Sequence, residues 1–159
     1  MFRAMRRSKQ QMSEEAANVI LKNATSGVLS LLGDDGYPYG VPISYVYDNG
    51  KLYFHSALTG HKVDAVRNYE KASFTVIMQD DIVPEKYTTL YRSVIAFGSV
   101  HIADDEAERI HGVQLLAEKY NPGEPEAGWR KEMADCPNFL ILVMEIDYIT
   151  GKASRELVE

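Results

Sequence analysis

Six stretches of the chain alternate apolar and polar residues, and between them run segments with apolar positions three or four apart. Ser13, followed by Glu14 and Glu15, is a good N-cap with acids in the first turn. The helix it opens is expected to bury Ala16, Val19 and Ile20 and to end near Asn23. "SGVLSLL" is a strand, and "GDDG" turns it into a second, "YPYGVPISYVY". Asn49-Gly50 predicts a type I′ hairpin, because both central residues of that turn need positive φ; "KLYFHS" returns as the third strand. After Gly60, "HKVDAVRNY" puts Val63 and Val66 at helical spacing. "ASFTVIM" is the fourth strand and "YTTLYRSVIAFGSVHIA" the fifth, with Gly98 marking a bulge or bend. "DDEAERIHGVQLLAEKY" carries Ile110, Val113, Leu116 and Ala117 on one face of an amphipathic helix. Asn121, Pro122, Gly123 and Pro125 break it. A short helical piece from Trp129 to Met133 then leads to the last strand, "NFLILVMEIDYITGK".

Six mostly antiparallel strands with interposed helices predict a mainly β fold, a small closed or nearly closed barrel. Closure removes the sheet edges that such strands otherwise expose. A barrel of this size is filled by its own side chains, so a large ligand must lie against an outer wall. If that ligand needs enclosure, a second subunit has to supply the other wall. No repeat, low-complexity segment or linker divides residues 1–159, which read as one domain.

Composition narrows the partners. With 17 Lys and Arg against 23 Asp and Glu, the net charge is −6, which argues against a general nucleic-acid binder. No apolar run approaches the ~20 residues that span a bilayer. The start, "MFRAMRRSKQQ", is basic, but no apolar h-region follows, so no secretory signal is expected. Arg3, Arg6, Arg7 and Lys9 read as a solvated leader, with contact to an acidic ligand as the alternative. The single Cys136 excludes an intrachain disulfide and points to a reducing, cytoplasmic setting.

Candidate chemistry concentrates in "HSALTGHK". A helix starting at Gly60-His61 directs free N–H groups toward the end of the preceding strand, where they attract anions. Ser56 and Thr59 add hydroxyl donors, Lys62 adds a full charge, and His61 can add another. That set suits a phosphate; it is equally a strand–turn–helix in which Thr59 caps and Lys62 is solvated. His55 and His61 lack a third ligand at sensible spacing, and His101 and His111 lie elsewhere, so no metal site is expected. Ser44, Ser56 and Ser93 have no nucleophile-elbow motif. Cys136 precedes Pro137 with no flanking base. Trp129, Tyr45, Tyr47, Phe54 and Tyr91 offer rings that either stack on a ligand or fill core and interface.

The stretches "GYPYGVPISYVYDNGKLYFHSALTGHKVDAVRN", "YRSVIAFGSVHI" and "DYITGKASR" resemble the FMN-binding split-barrel proteins, the superfamily of pyridoxine 5′-phosphate oxidase, and within it the nitroimidazole-resistance group. The resemblance implies a six-stranded antiparallel split barrel that binds FMN at the interface of a homodimer. Ser56 falls at the oxidases' Thr position, and Gly60, His61 and Lys62 fall at their Ser-Arg-Lys, so Ser56, Thr59, His61, Lys62 and main-chain N–H groups are implied to hold the FMN phosphate. Pro42, Ile43, Ser44 and Tyr45 match the strand whose backbone runs along the flavin ring, and Phe54 is a ring neighbour. Ser93 stands where the oxidases carry a glutamine. Lys152 and Arg155 are implied to reach the cofactor across the dimer. His55, at the family's aromatic position, is the candidate for hydrogen-bonding substrate or moving a proton.

The implied activity is an FMN-dependent oxidoreductase, taking electrons from a small-molecule donor and passing a hydride from flavin N5 to an acceptor such as a nitro-heteroaromatic compound. The alternatives are a flavin reductase or phosphate-oxidase-like enzyme, or a flavin- or haem-binding module that turns nothing over. True phosphate-oxidase activity fits poorly, since the chain is short for that branch and no C-terminal Arg-x-His motif is present.

Overall fold

A computed structural model of the chain describes residues 1–158. Helix α1 (Glu14–Asn23) precedes strands β1 (Ser26–Leu32), β2 (Pro38–Ser44), β3 (Val46–Asp48) and β4 (Lys51–Ser56). Helix α2 (His61–Asn68), the long hairpin β5 (Lys71–Val83) and β6 (Thr88–Ile102), helices α3 (Glu106–Tyr120) and α4 (Glu126–Asp135), and β7 (Leu140–Ala153) follow. All strand pairs are antiparallel, in the order β2-β1-β5-β6-β7-β4-β3.

The described residues form seven strands rather than six, because the stretch read as one strand over 37–47 divides at Tyr45. Strand β2 lies at one edge of the sheet and β3 at the other, so the chain crosses between edges through a single residue and draws the sheet into a barrel. Tyr45 is fully buried, with its ring edge-on to Phe74 and its hydroxyl donating to the Leu21 carbonyl at 2.7 Å. The break in the ladder leaves backbone groups that need partners, and the Tyr120 hydroxyl supplies them. It accepts from the Tyr45 N–H at 3.0 Å and lies 2.6 Å from the carbonyls of both Tyr45 and Thr25.

The hairpin turn has Asn49 at φ 45° and Gly50 at φ 79°, the positive pair that a type I′ turn requires. At Gly98 the β6–β7 register shifts, and a Cβ there would stand 1.9 Å from the Glu145 carbonyl oxygen, so only glycine admits the approach. Helix α1 is rotated from the expected face. Ala17, Ile20 and Leu21 are buried, Ala16 is half-buried, and Val19 is 56% exposed. The rotation follows from docking, since a Cβ on Gly151 of β7 would touch both Met12 and Ala17, at 3.0 and 3.1 Å. The barrel interior is filled by Leu29, Leu52, Phe54, Phe74, Val76, Val94, Leu142 and Met144. A second cluster, Val46, Tyr53, Ala103, Phe139, Ile141 and Val143, lies outside β4 and β7 and is roofed by Val113, Leu116 and Met133 of α3 and α4.

Candidate functional site

The corner after β4 is built from a strand end and the first turn of α2. Gly60 takes φ 127°, a conformation that side-chain-bearing residues avoid, and its carbonyl receives the Val63 and Asp64 N–H groups. Ser56 is 3% exposed, and its hydroxyl bonds only the neighbouring Ala57 carbonyl, at 3.1 Å. Thr59 is exposed. Lys62 is half-buried and has no carboxylate partner among the described residues. Burial lowers its pKa below the usual lysine range. A desolvated ammonium without a counter-ion is what an incoming anion would relieve.

His61 is engaged elsewhere. Its ring stacks on Tyr39 with centroids 3.9 Å apart, and Nε2 accepts the Asp34 N–H at 3.3 Å. The Asp34 carboxylate lies 3.7 Å from the same nitrogen. The ring expected at the phosphate corner thus lies against the β1–β2 turn, in contact with Tyr39 and the Asp34 N–H.

His55 is exposed and stacks on Phe139 with centroids 5.0 Å apart. Burial, and then the nearby Lys62 charge, lower its pKa, so the imidazole is neutral at neutral pH. It stands at the mouth of an apolar cleft of about 590 Å³ between the barrel wall and the two helices. Ile43 and Ser44 form the strand side of this cleft, and Val113, Leu116, Tyr120 and Trp129 form much of the helical side. The cleft and the corner thus place one charged end and one apolar end on the two sides of His55.

Other predicted positions separate. Tyr45 and Phe54 are fully buried, so neither presents its ring to a ligand, and the Tyr45 backbone already bonds Tyr120. Pro42 lies on the opposite, outward face, in a cross-strand row with Val28, Thr75, Ile95 and Thr150. Ser93 follows on the same face, between Ile77 and Lys152. Lys152 lies over the Tyr91 ring, its ammonium 5.2 Å from the centroid. Ser56 pairs with Leu140 at the start of β7, and Lys152 is near its end. At ~3.3 Å per residue this is roughly 40 Å of strand, so one chain does not bring Ser93 and Lys152 to the corner.

Sequence reasoning missed Tyr120, Phe139 and the cleft they help to line. A signal existed in α3: Val113 and Leu116 belong to its apolar face, yet in the fold they are only half-buried because they open onto that cleft. Among the described residues no three His, Cys, Asp or Glu side chains converge on a metal position.

The chain matches the family model for pyridoxamine 5′-phosphate oxidase over residues 13–153. No curated protein matches the sequence. Among solved structures it is similar to a protein named for 5-nitroimidazole antibiotic resistance from Bacteroides thetaiotaomicron, with 21% identity over 89% of this chain and 84% of that one, at a TM-score of 0.74. It is also similar to an FAD-binding protein from Mesorhizobium loti (22% identity, 91% and 97% covered, TM-score 0.67). A conserved hypothetical protein from Mycobacterium tuberculosis superposes with a TM-score of 0.81 at 15% identity, covering 98% and 94%. Identities this low speak for the fold alone; the family match spans most of the chain, and this protein belongs to the pyridoxamine 5′-phosphate oxidase family of flavin-binding split barrels.

Proposed function

We propose that the protein binds FMN and works as a flavin-dependent oxidoreductase in the cytoplasm. The observation that carries this reading is Lys62, a half-buried ammonium with no carboxylate partner among the described residues, in the same strand–turn–helix corner as the buried Ser56 hydroxyl. Lys62, Ser56, Thr59 and the first N–H groups of α2 would hold the phosphate. The donor set fits FMN, although His61 contributes less than the resemblance implies. When bound, FMN supplies hydride transfer from a small-molecule donor to a small-molecule acceptor, and a nitro-heteroaromatic compound is the acceptor that the nitroimidazole-resistance likeness favours.

The chain's own residues bind and orient. The backbone of Pro42, Ile43 and Ser44 borders the ring position. His55, neutral and at the cleft mouth, donates its ring N–H to a nitro oxygen of the bound compound and delivers a proton from that nitrogen. The apolar cleft excludes water from that end.

The bare outer wall supports a homodimer. Val28, Ile77, Ile82 and Ile95 are 37, 71, 75 and 37% exposed on it, a patch that soluble monomers rarely carry. A two-fold partner would cover this wall and bring its Ser93 and Lys152 toward the neighbour's flavin.

A flavin- or haem-binding module without turnover is the second reading, favoured by a cleft lining that offers His55 as its one imidazole and Glu132 as its one carboxylate. An absorbance spectrum of freshly purified protein and an anaerobic titration decide between them. The enzyme reading expects a yellow protein, bleached by reduced nicotinamide and reoxidised by a nitro compound. A Soret band, or a colourless protein that refuses added FMN, overturns it.

A further inference from the structure

His55 ends a row of side chains on the outer face of β4, and the strand register says what stands beside it. His55 pairs with Ile141 of β7, and Tyr53 pairs with Val143. Phe139 comes two residues before Ile141, on the diagonal from His55, where an aromatic side chain can reach across. The two rings meet with centroids 5.0 Å apart and planes 29° from parallel. The partners differ in freedom. His55 is exposed at its strand end, whereas Phe139 is 8% exposed within the cluster of Tyr53, Ile141 and Val143. The Phe139 N–H also bonds the Pro137 carbonyl at 3.0 Å, which fixes the turn that delivers the ring. An exposed imidazole by itself changes rotamer freely. Against a fixed ring it keeps one plane, and with it the line along which its N–H can point.

Phe139 carries a second group. The Arg109 guanidinium of α3 lies over its ring, 4.3 Å from the centroid, with Nη1 3.3 Å from both Glu106 carboxylate oxygens. A ring face attracts cations, so a protonated His55 would compete with Arg109 for one ring and meet a second positive charge. Burial and the Lys62 charge of α2 act in the same direction. Of the other ionisable groups around the cleft, Tyr120 of α3, Glu132 of α4 and Cys136 line it with His55, and the Glu132 carboxylate is exposed. Two cations and a shared ring against one exposed carboxylate leave the imidazole neutral, the form that presents one N–H and one lone pair.

We propose that Phe139 is the positioning residue of His55, holding its imidazole in one plane at the cleft mouth, and that Arg109, through the same ring, keeps that imidazole uncharged. This rests on the acid role assigned to His55 above. Phe139 gives no proton itself and acts through the imidazole that it holds.

Proton NMR of the full chain, with the His55 ring signals assigned by their loss in His55→Gln, tests this across pH. In the parent those signals should lie upfield, shielded by the Phe139 ring. Phe139→Leu should move them downfield, and Phe139→Tyr should keep them in place. Arg109→Gln should raise the pH at which they titrate. Single-turnover reoxidation of photoreduced, FMN-loaded protein by a 5-nitroimidazole gives the chemical arm, with all variants compared below their unfolding temperatures. Phe139→Leu should slow the saturated rate about tenfold or more, with half-saturation changed less than about threefold, and Phe139→Tyr should restore most of the rate. Parental His55 signals or a parental rate in Phe139→Leu overturns the proposal. So does an equal slowing in Val143→Ala, which thins the same cluster farther along β7 and would make the role structural. Should His55→Gln reoxidise as fast as the parent, the acid role fails instead, and the NMR arm still decides whether Phe139 holds the ring. Should Phe139→Leu fail to fold, Arg109→Gln decides, because an unchanged titration there overturns the shared ring.

Discussion

Two outer walls of one barrel are finished in different ways. Behind β4 and β7 the chain lays α3 and α4 over Tyr53, Ile141 and Val143, making a small core of its own and leaving one cleft at its margin. Outside β1, β5 and β6 no described residue covers Val28, Ile77 and Ile95, and the β5–β6 ribbon carries the bare Ile82 beyond them. The strands alternate in the same way on both sides. The difference lies in the connections: β6 leads into a helix pair, whereas β5 leads into a tight turn. A covered wall fixes a cleft inside one chain, while a bare wall leaves its apolar side chains exposed.

The largest expected effect is on the covered wall. Ile141→Ala removes a side chain that is 1% exposed and should cost about 2–5 kcal/mol in denaturant unfolding. The same truncation at Ile95 should change monomer stability by less than ~0.5 kcal/mol but shift sedimentation toward monomer. Equal stability losses at the two positions would erase the contrast. Next, Lys62→Ala should weaken FMN binding by about 1.5–3 kcal/mol in a fluorescence titration; wild-type affinity in the variant would remove the corner from the site. Tyr120→Phe deletes the hydroxyl that serves the Tyr45 crossing, and a loss of about 1–3 kcal/mol is expected, with the cleft more mobile in hydrogen exchange. A variant as stable as the parent would show that water replaces the hydroxyl without cost.

The smallest expected effect concerns pH. The His55 pKa is depressed in the folded chain, so the unfolded chain binds the proton more readily between the folded pKa and the ordinary value near 6.5. Its contribution to stability is present above that ordinary value and is lost as pH falls toward the folded pKa. His55→Gln should flatten the slope of Tm against pH in this window. His55→Gln should also lower turnover more than flavin retention, and loss of flavin with full activity in the remaining holo protein would make His55 structural.

Local patterns carried much of this in the sequence. Asn49-Gly50 reported its turn because two positive φ angles leave few residue choices, and "HSALTGHK" reported a strand end followed by a helix start. Helix α1 showed its existence but not its face, because two small residues, Ala17 and Gly151, decide how it docks across a long sequence interval. The alternation through Tyr45 hid a strand break, since its side chain stays buried while the backbone changes edges. His61 looked like a phosphate ligand by position, yet the β1–β2 turn reaches it first. The cleft behind His55 depends on α3, α4 and Phe139 meeting β4, which no local pattern encodes.

The pairing of β4 with β7 also sets an order of events during synthesis. Ser56 waits for Leu140, and Lys51 for Glu145, so the sheet closes only after the last strand leaves the ribosome. Until then β4 has hydrogen-bonding groups exposed along one edge, and pairing over so long an interval is slow. Chains halted before residue 140 should bind hydrophobic-surface chaperones and aggregate, and release of the final strand should end both.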